Sequence, residues 1–104
     1  MATVVVEYCP VSFTKREGII PVRGLSTGSE KITSGATSTS GSVESGGSGI
    51  AIVYADANVW VTFSAGASTP ATVGGVGMAF IPANVQVAVG ELSSGLRCTV
   101  IDDA

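Results

Sequence analysis

The residue types that most often carry catalysis are scarce in this chain. Its 104 residues include no histidine, which removes the usual general base near neutral pH and the commonest metal ligand. Cys9 and Cys98 without histidine cannot complete a structural zinc site within one subunit. A glycosidase needs two carboxylates across a cleft, but the adjacent acids Asp102 and Asp103 would point to opposite faces of a strand. The sequence therefore predicts that the protein is not an enzyme.

Two glycine clusters raise the question of phosphate binding. They are GGSG at residues 46–49 and GGVG at residues 74–77. Neither has the Lys-Ser/Thr pair of a phosphate loop, and neither precedes a helical pattern, so both are poor nucleotide sites. The sequence also lacks an aspartate-rich calcium loop. We therefore expect no cofactor and no metal.

The charge pattern argues against nucleic acid as a partner. The formal net charge is −3, and only five residues are Lys or Arg. Neutralising phosphates requires clustered cations. The one adjacent pair is Lys15-Arg16, which we expect on a solvated strand end or loop.

The chain is also poor in charge of either sign. Charged residues make up 12% of it, against about 25% in typical soluble domains. Small neutral side chains cost little to desolvate, because no ion has to leave water. Such a surface suits a subunit that its neighbours largely cover, and the alternative is a small neutral monomer.

The sequence predicts neither a membrane span nor a signal peptide. Its N-terminus has no basic region before a short apolar run. The most apolar window, residues 50–67, contains Asp56 and Asn58, whereas a span needs about 20 mainly apolar residues. We expect a soluble protein made inside the cell. A reducing cytosol would then leave Cys9 and Cys98 as buried free thiols, and the alternative is a disulfide between them.

The first quarter of the chain predicts three strands. Residues 3–8 are rich in β-branched side chains, and Pro10 should end their strand because proline cannot donate to a central ladder. The spacing of residues 12–16 and 19–23 suits a hairpin or a pair of short strands. Pro21 predicts that the second of these is an edge strand or not a strand.

Residues 26–49 are ambiguous. Eighteen of these 24 residues are Ser, Thr or Gly, a composition typical of flexible linkers. A structureless segment of that length is nevertheless unusual inside a compact domain. We predict strand structure around residues 31–39 and a mobile loop around residues 44–49.

The clearest strand signal covers residues 50–64. Residues 50–54 and 59–64 alternate as strands do, and Asp56-Ala57-Asn58 between them fits a tight turn. A single strand with a bulge at Asp56 is the alternative. Trp60 would lie on the less apolar face, packed either on the far side of the sheet or against another subunit.

The rest of the chain continues the β pattern. Strands are predicted at residues 78–81, 85–89 and 96–101, and turns at 82–84 and 91–95. About seven or eight short strands without a helical pattern indicate one all-β domain over residues 1–104. The expected architecture is an antiparallel β-sandwich or jelly roll.

The second half of the chain resembles small structural proteins of tailed bacteriophages. The likeness covers residues 50–103, about half of the chain. The matching pieces are Asp56-Ala57-Asn58, the strand at 59–63, Pro70-Ala71-Thr72, the apolar segment 78–83 and the closing strand at 95–101. The glycine-rich residues 74–77 and the pair Arg97-Cys98 depart from the pattern. The resemblance implies a virion component, and within that class a capsid decoration (cement) protein that clamps the major capsid protein after shell expansion.

The same resemblance implies homo-oligomers at symmetry axes of the capsid exterior, after assembly in the host cytoplasm. We expect contacts through Tyr54, Trp60 and an N-terminal arm carrying Val4, Val6 and Tyr8, which could add a strand to a neighbour. Two other functions stay open. One is a sugar- or receptor-binding module of a fibre, with aromatic platforms at Tyr54 and Trp60, and the other is a tail or connector completion protein.

Overall fold

The computed structural model describes residues 2–15, 19–23 and 26–103, with the backbone alone for residues 11–15, 19–23, 47, 48 and 91. Within these residues the chain is all β and contains seven strands. In order they are β1 (Thr3–Lys15), β2 (Ile19–Arg23), β3 (Gly28–Thr33), β4 (Thr39–Ala55), β5 (Val59–Ala65), β6 (Ala79–Ile81) and β7 (Val87–Asp102). The all-β prediction is confirmed. However, β1, β4 and β7 have 13, 17 and 16 residues and are not short.

All of these strands belong to one antiparallel sheet. Its order is β2-β1-β4-β7-β5-β6, with β3 also paired to β1. β1 forms a long hairpin with the two strands that follow it. Its second half pairs with β2, as far as the pair Lys15–Ile19, and its first half pairs with β3, as far as the pair Thr3–Thr33. The predicted early hairpin is therefore confirmed, although its turn at 16–18 lies outside the described residues. β2 is an edge strand, as Pro21 predicts.

The sheet folds back on itself along its long strands β4 and β7, and we call this bend the curl. Tyr8 of β1 and Phe63 of β5 make an edge-to-face ring contact with centroids 6.2 Å apart. Tyr8 pairs with Ala51, which pairs with Val89 of β7, whereas Phe63 pairs with Cys98 of β7. In a flat sheet the two rings would therefore lie nine residues apart along β7, on the order of 30 Å. The ladder between β4 and β7 shifts register four times between Ser40 and Ile50. Such bulges bend a strand and increase its twist, which explains the curl.

The core lies on the concave face of the curled sheet. β1, β4, β5 and β7 each contribute alternate residues, as expected for strands with one buried face. The side chains with no measurable exposure include Val4, Val6, Ala51, Val53, Ala55, Val59, Val61, Ile81, Cys98 and Val100. β-Branched side chains dominate this set, which matches the high β propensity of the strands.

Both cysteines are buried and free, which confirms the favoured expectation over a disulfide. Burial, with a further effect of the Glu30 carboxylate, raises the pKa of the Cys98 thiol to about 12. Burial also raises the pKa of Tyr8, with added contributions from Cys98 and Glu30. Both groups therefore stay protonated near neutral pH, and a protonated thiol is a poor nucleophile.

The prediction that Pro10 ends the first strand is wrong. β1 continues through Pro10 to Lys15. The ladder to β3 stops at Tyr8, the ladder to β2 begins at Val11, and the ladder to β4 reaches its last pair at Pro10. Proline is tolerated there because it lies where these ladders are interrupted.

The predicted loop at residues 44–49 is also wrong, because this segment is part of β4. It pairs with β7 at Glu44–Arg97, Gly46–Ser94 and Gly49–Leu92. The strand expected at residues 31–39 instead ends at Thr33, and the next begins at Thr39. Small side chains give little local strand signal, so the pairing partner decides their conformation.

The turn predicted at residues 91–95 is likewise absent, because β7 runs through it. Gly95 has a φ of 81°, a conformation that glycine adopts at little cost. The glycine signal therefore marks an irregularity within a strand rather than a chain reversal.

The turn at Asp56-Ala57-Asn58 is confirmed, and the alternative of one continuous strand is excluded. β4 ends at Ala55 and β5 begins at Val59. The two strands are not partners, because β7 lies between them in the sheet. β4 ends near Val87, the first residue of β7, and β5 begins beside Asp102, its last residue. The turn therefore joins the two ends of the folded-back sheet, and it is not the end of a two-stranded hairpin.

Candidate functional site

Three apolar side chains form a row on the outer face of the sheet. Trp60 of β5 is the register partner of Phe80 in β6 and of Ile101 in β7. Directly paired residues project to the same face, here the face opposite buried Val59 and Ile81. We call Trp60, Phe80 and Ile101 the outer row. Its two rings lie with centroids 5.1 Å apart and a tilt of 54°, and Phe80 is 39% exposed.

Hydrogen bonds fix an acidic group beside the outer row. The Trp60 Nε1–H donates to Asp103 Oδ1 at 3.0 Å. The Asp103 backbone N–H donates to the Asn58 carbonyl at 3.1 Å. The indole and this carboxylate are therefore held in one arrangement at the end of β5 and β7.

Two further carboxylates lie at this end of the sheet. Asp56 Oδ1 accepts the backbone N–H of Thr3 at 2.9 Å. Asp102 accepts the hydroxyl of buried Ser34. We call Asp56, Asp102 and Asp103 the acidic end. It adjoins the outer row through Asp103.

A loop over residues 66–78 covers the part of the outer face next to the outer row. The hydroxyl of Thr62 donates to the Gly77 carbonyl at 3.1 Å, and the hydroxyl of Thr99 donates to the Thr69 carbonyl at 3.2 Å. These bonds hold the loop on β5 and β7, where Thr62 and Thr99 are buried. The loop leaves Val76 fully exposed, so apolar surface continues beyond the outer row.

The predicted contact residues occupy two different environments. Val4, Val6 and Tyr8 are buried in the core on β1. The segment that was expected as an N-terminal arm is paired to β3 on one side and to β4 on the other, so it belongs to the sheet. Only Tyr54 and Trp60 lie on the outer face.

Tyr54 is 37% exposed, and its hydroxyl donates to Asn84 Oδ1 at 2.9 Å. The sequence reasoning missed Phe80, Ile101 and Asp103 as neighbours of Trp60. Alternation along β6 and β7 separates inner from outer residues. The register that joins Phe80 and Ile101 to Trp60 is a long-range property without a local signal.

A cavity of about 10 Å³ lies beside Tyr8, Thr27 and Gly49, which is room for no more than one water. No group of three or more Cys, Asp or Glu residues within the described ranges could hold a metal ion. No helix in that part of the chain is long and apolar enough to cross a bilayer.

Comparison of the chain with protein-family models, with curated proteins and with solved structures found no match. The site is therefore interpreted from its own chemistry. Partly exposed aromatic rings are the side chains that are enriched in surfaces that contact another macromolecule.

Proposed function

We propose that the chain is a non-enzymatic structural protein of a tailed-bacteriophage virion, a decoration protein that binds and stabilises the shell of the major capsid protein. The observation that carries the proposal is the outer row, an aromatic surface on a chain of which only 12% is charged. The resemblance of residues 50–103 to small phage structural proteins supplies the class of partner. In this proposal the protein acts on the capsid exterior, as a homo-oligomer at symmetry axes.

The physical chemistry of the outer row supports this role. Tryptophan and other aromatic residues dominate the free energy of many protein interfaces, because they bury a large area with little loss of conformational freedom. The small neutral groups around them lose little free energy when they are desolvated. Each copy needs to add only a modest contact, since a shell presents many equivalent sites. A β-sandwich or jelly-roll arrangement of the sheet is part of the proposal.

The test uses expanded, DNA-free capsids that lack this protein. The purified chain should saturate them at a fixed number of copies per capsid and raise their melting temperature. Cosedimentation measures the stoichiometry, and calorimetry of the same particles measures the stabilisation. Failure to bind, or binding that leaves the capsid melting temperature unchanged, would contradict the proposal.

A sugar-binding module is the second candidate, and a specific observation favours it. Trp60 is fixed to a carboxylate, and Tyr54 is fixed to the amide of Asn84. Aromatic faces with neighbouring carboxylate and amide groups are common in carbohydrate sites. Saturable binding on a glycan array, without affinity for capsids, would support this candidate over the decoration protein.

A further inference from the structure

We infer that the open edge of β1 at residues 11–15 pairs with the same edge of a second copy of this chain, as antiparallel strands related by a two-fold axis. The inference deepens the homo-oligomer part of the proposed function and rests on it only in that respect. It names the surface through which two copies meet, and its main experiment needs no capsid.

The second half of β1 has an open edge. Over its first half, β1 pairs with β3 and with β4. The ladder to β4 ends at the pair Pro10–Gly49, whereas β1 continues to Lys15 with β2 on the side opposite to β4. Among the strands that the structure describes, none pairs with β1 on the β4 side beyond Pro10.

The backbone groups of alternate residues point toward this open edge. The Thr3 carbonyl accepts the N–H of Asp56 on the β4 side, and the Ala2 carbonyl accepts the N–H of Ser34 on the β3 side. Odd-numbered residues of β1 therefore direct their N–H and C=O groups toward β4, and the register with β4 is uninterrupted. The same alternation over residues 11–15 leaves the groups of every second residue at the open edge.

Pro21 gives an independent indication of this alternation. It is the register partner of Phe13. Paired residues of antiparallel strands exchange both backbone hydrogen bonds or neither, and proline has no N–H to donate. Phe13 and Pro21 are therefore a non-hydrogen-bonded pair, so the N–H and C=O groups of Phe13 point away from β2 and into the open edge.

The two outer edges of the hairpin differ in their protection against pairing. Proteins block unpaired strand edges with proline, bulges or charged residues, because such edges are templates for another strand. On β2, Pro21 removes a donor from the outer edge. On β1, residues 11–15 contain no proline, their register with β2 has no bulge, and Lys15 is their single charged residue. Since a two-stranded ribbon is marginally stable alone, an added strand would also stabilise the hairpin.

The open edge is complementary to itself. Pairing about a two-fold axis at Phe13 places Val11 of one copy opposite Lys15 of the other. The two Lys15 positions then lie about 13 Å apart along the strands, which exceeds the screening length of about 10 Å at about 0.1 M salt. Each β1 enters the ladder at the end where the other leaves it, so the two sheets extend in opposite directions.

Sedimentation velocity of the purified chain measures the association, at loading concentrations from about 10 μM to about 1 mM. A ladder over residues 11–15 buries less than the roughly 1,200 Å² of a stable interface, so we expect a weak dimer. The average mass should rise with concentration from that of the 10.3 kDa chain toward twice that value. A monomer mass at the highest concentration, or a mass that passes beyond the dimer, would overturn the inference.

Charge placed at position 13 tests the register. In the proposed pairing this position lies opposite itself, and like charges directly opposite destabilise strand pairing. Phe13→Lys and Phe13→Glu should therefore each weaken dimerisation by about tenfold or more. An equimolar mixture of the two variants should associate again, because opposite charges then face each other. Val85→Lys and Val85→Glu are matched controls at an exposed apolar position outside the hairpin, and they should dimerise as the wild type does.

Hydrogen exchange of single backbone amides gives a measurement that needs no variant. The N–H groups of Val11, Phe13 and Lys15 should become more protected as the concentration rises, because they bond to the second copy. Those of Ser12 and Thr14 should keep the same protection, because they bond to β2. Equal concentration dependence at all of these positions would contradict the proposed edge.

The outcomes separate this inference from the proposed function. Dimerisation that survives Phe13→Lys, or a mixture that fails to restore the dimer, overturns the inference. Circular dichroism checks that each variant retains its β structure, and restored association of the mixture shows that both variants fold. Capsid binding by a chain that stays monomeric overturns the inference alone, whereas a dimer without affinity for capsids overturns the proposed function alone.

Discussion

Glu30 links two strands that share no backbone ladder. It lies on β3, and its carboxylate accepts the backbone N–H groups of Ser42 at 3.0 Å and Val43 at 2.6 Å, both in β4. β3 pairs only with β1 in the described sheet. The Glu30 side chain therefore supplies hydrogen bonds where strand pairing supplies none, and it satisfies two N–H groups of the irregular part of β4.

Replacing Glu30 by alanine should lower the free energy of unfolding by about 2 kcal/mol, because hydrogen bonds to a charged group are lost and two N–H groups lose their acceptor. Urea unfolding measures the change. Glu44→Ala is the control, since the exposed pair of Glu44 with Arg97 should contribute about 0–1 kcal/mol. Equal losses in the two variants would contradict the role given to Glu30.

The buried Cys98 thiol should make stability depend on pH under alkaline conditions. Its pKa rises from 9.0 to about 12 on folding, so the unfolded chain releases a proton that the native chain retains. The contribution of the protonated thiol to the free energy of unfolding is fully present below pH 9. It is lost as the pH rises toward the pKa of the folded state, at up to about 1.4 kcal/mol per pH unit.

Urea unfolding from pH 8 to pH 10 measures this dependence. The variant Cys98→Ala should show a smaller decline than the wild type over the same range. The raised pKa of Tyr8 adds its effect at higher pH, because an unfolded tyrosine titrates near 10. Identical declines in the two proteins would show that the Cys98 thiol is not the responsible group.

Among the elements, β4 depends most on small residues. Gly49 is buried at the last pair of the ladder between β4 and β1, and a Cβ at this position would overlap the backbone carbonyl of Cys9. Any larger residue would force the two strands apart at the point where β4 also changes register with β7. The glycine-rich sequence, which resembles a linker, is therefore a requirement of close strand packing.

Substitution of Gly49 by alanine should destabilise the protein by about 1–3 kcal/mol through overpacking against the backbone. Gly35→Ala is the matched control, because a Cβ there comes no closer than 4.0 Å to another atom. Thermal unfolding of both variants checks the prediction. A melting temperature for Gly49→Ala equal to that of the control would show that the strands can separate without cost.

Across the whole molecule, the curl separates residues that stabilise the fold from residues that are available for contact. The concave face buries Val4, Val6, Val53, Val59 and Val61. The outer row and Val76 remain on the convex side or on the loop that covers it. Changes on the outer face should therefore affect binding more than folding.

Truncation of the exposed ring in Phe80→Ala tests this separation. We expect a free energy of unfolding within about 1 kcal/mol of the wild type, together with capsid binding weakened by about tenfold. Val85→Ala, which changes another exposed apolar residue, should leave binding unchanged. Loss of binding in both variants to the same degree would argue against a specific role of the outer row.

The amino-acid sequence by itself determined the features that depend on local preference. Alternating β-branched residues predicted the all-β class, Pro21 predicted an edge strand, and Asp56-Ala57-Asn58 predicted a turn. Trp60 was placed on the less apolar face by alternation alone. These features follow from side-chain volume, backbone angles and the two-residue period of a strand, all of which act over a few neighbouring residues.

Only the tertiary structure decided which strands are partners. Three features depend on residues that are distant in the chain. They are the position of β7 between β4 and β5, the continuation of β4 through residues 44–49, and the register that joins Phe80 and Ile101 to Trp60. Small side chains carry weak local preferences, so their conformation follows from the hydrogen bonds and packing that a partner strand provides. The acidic end and the outer row become a single surface for that reason.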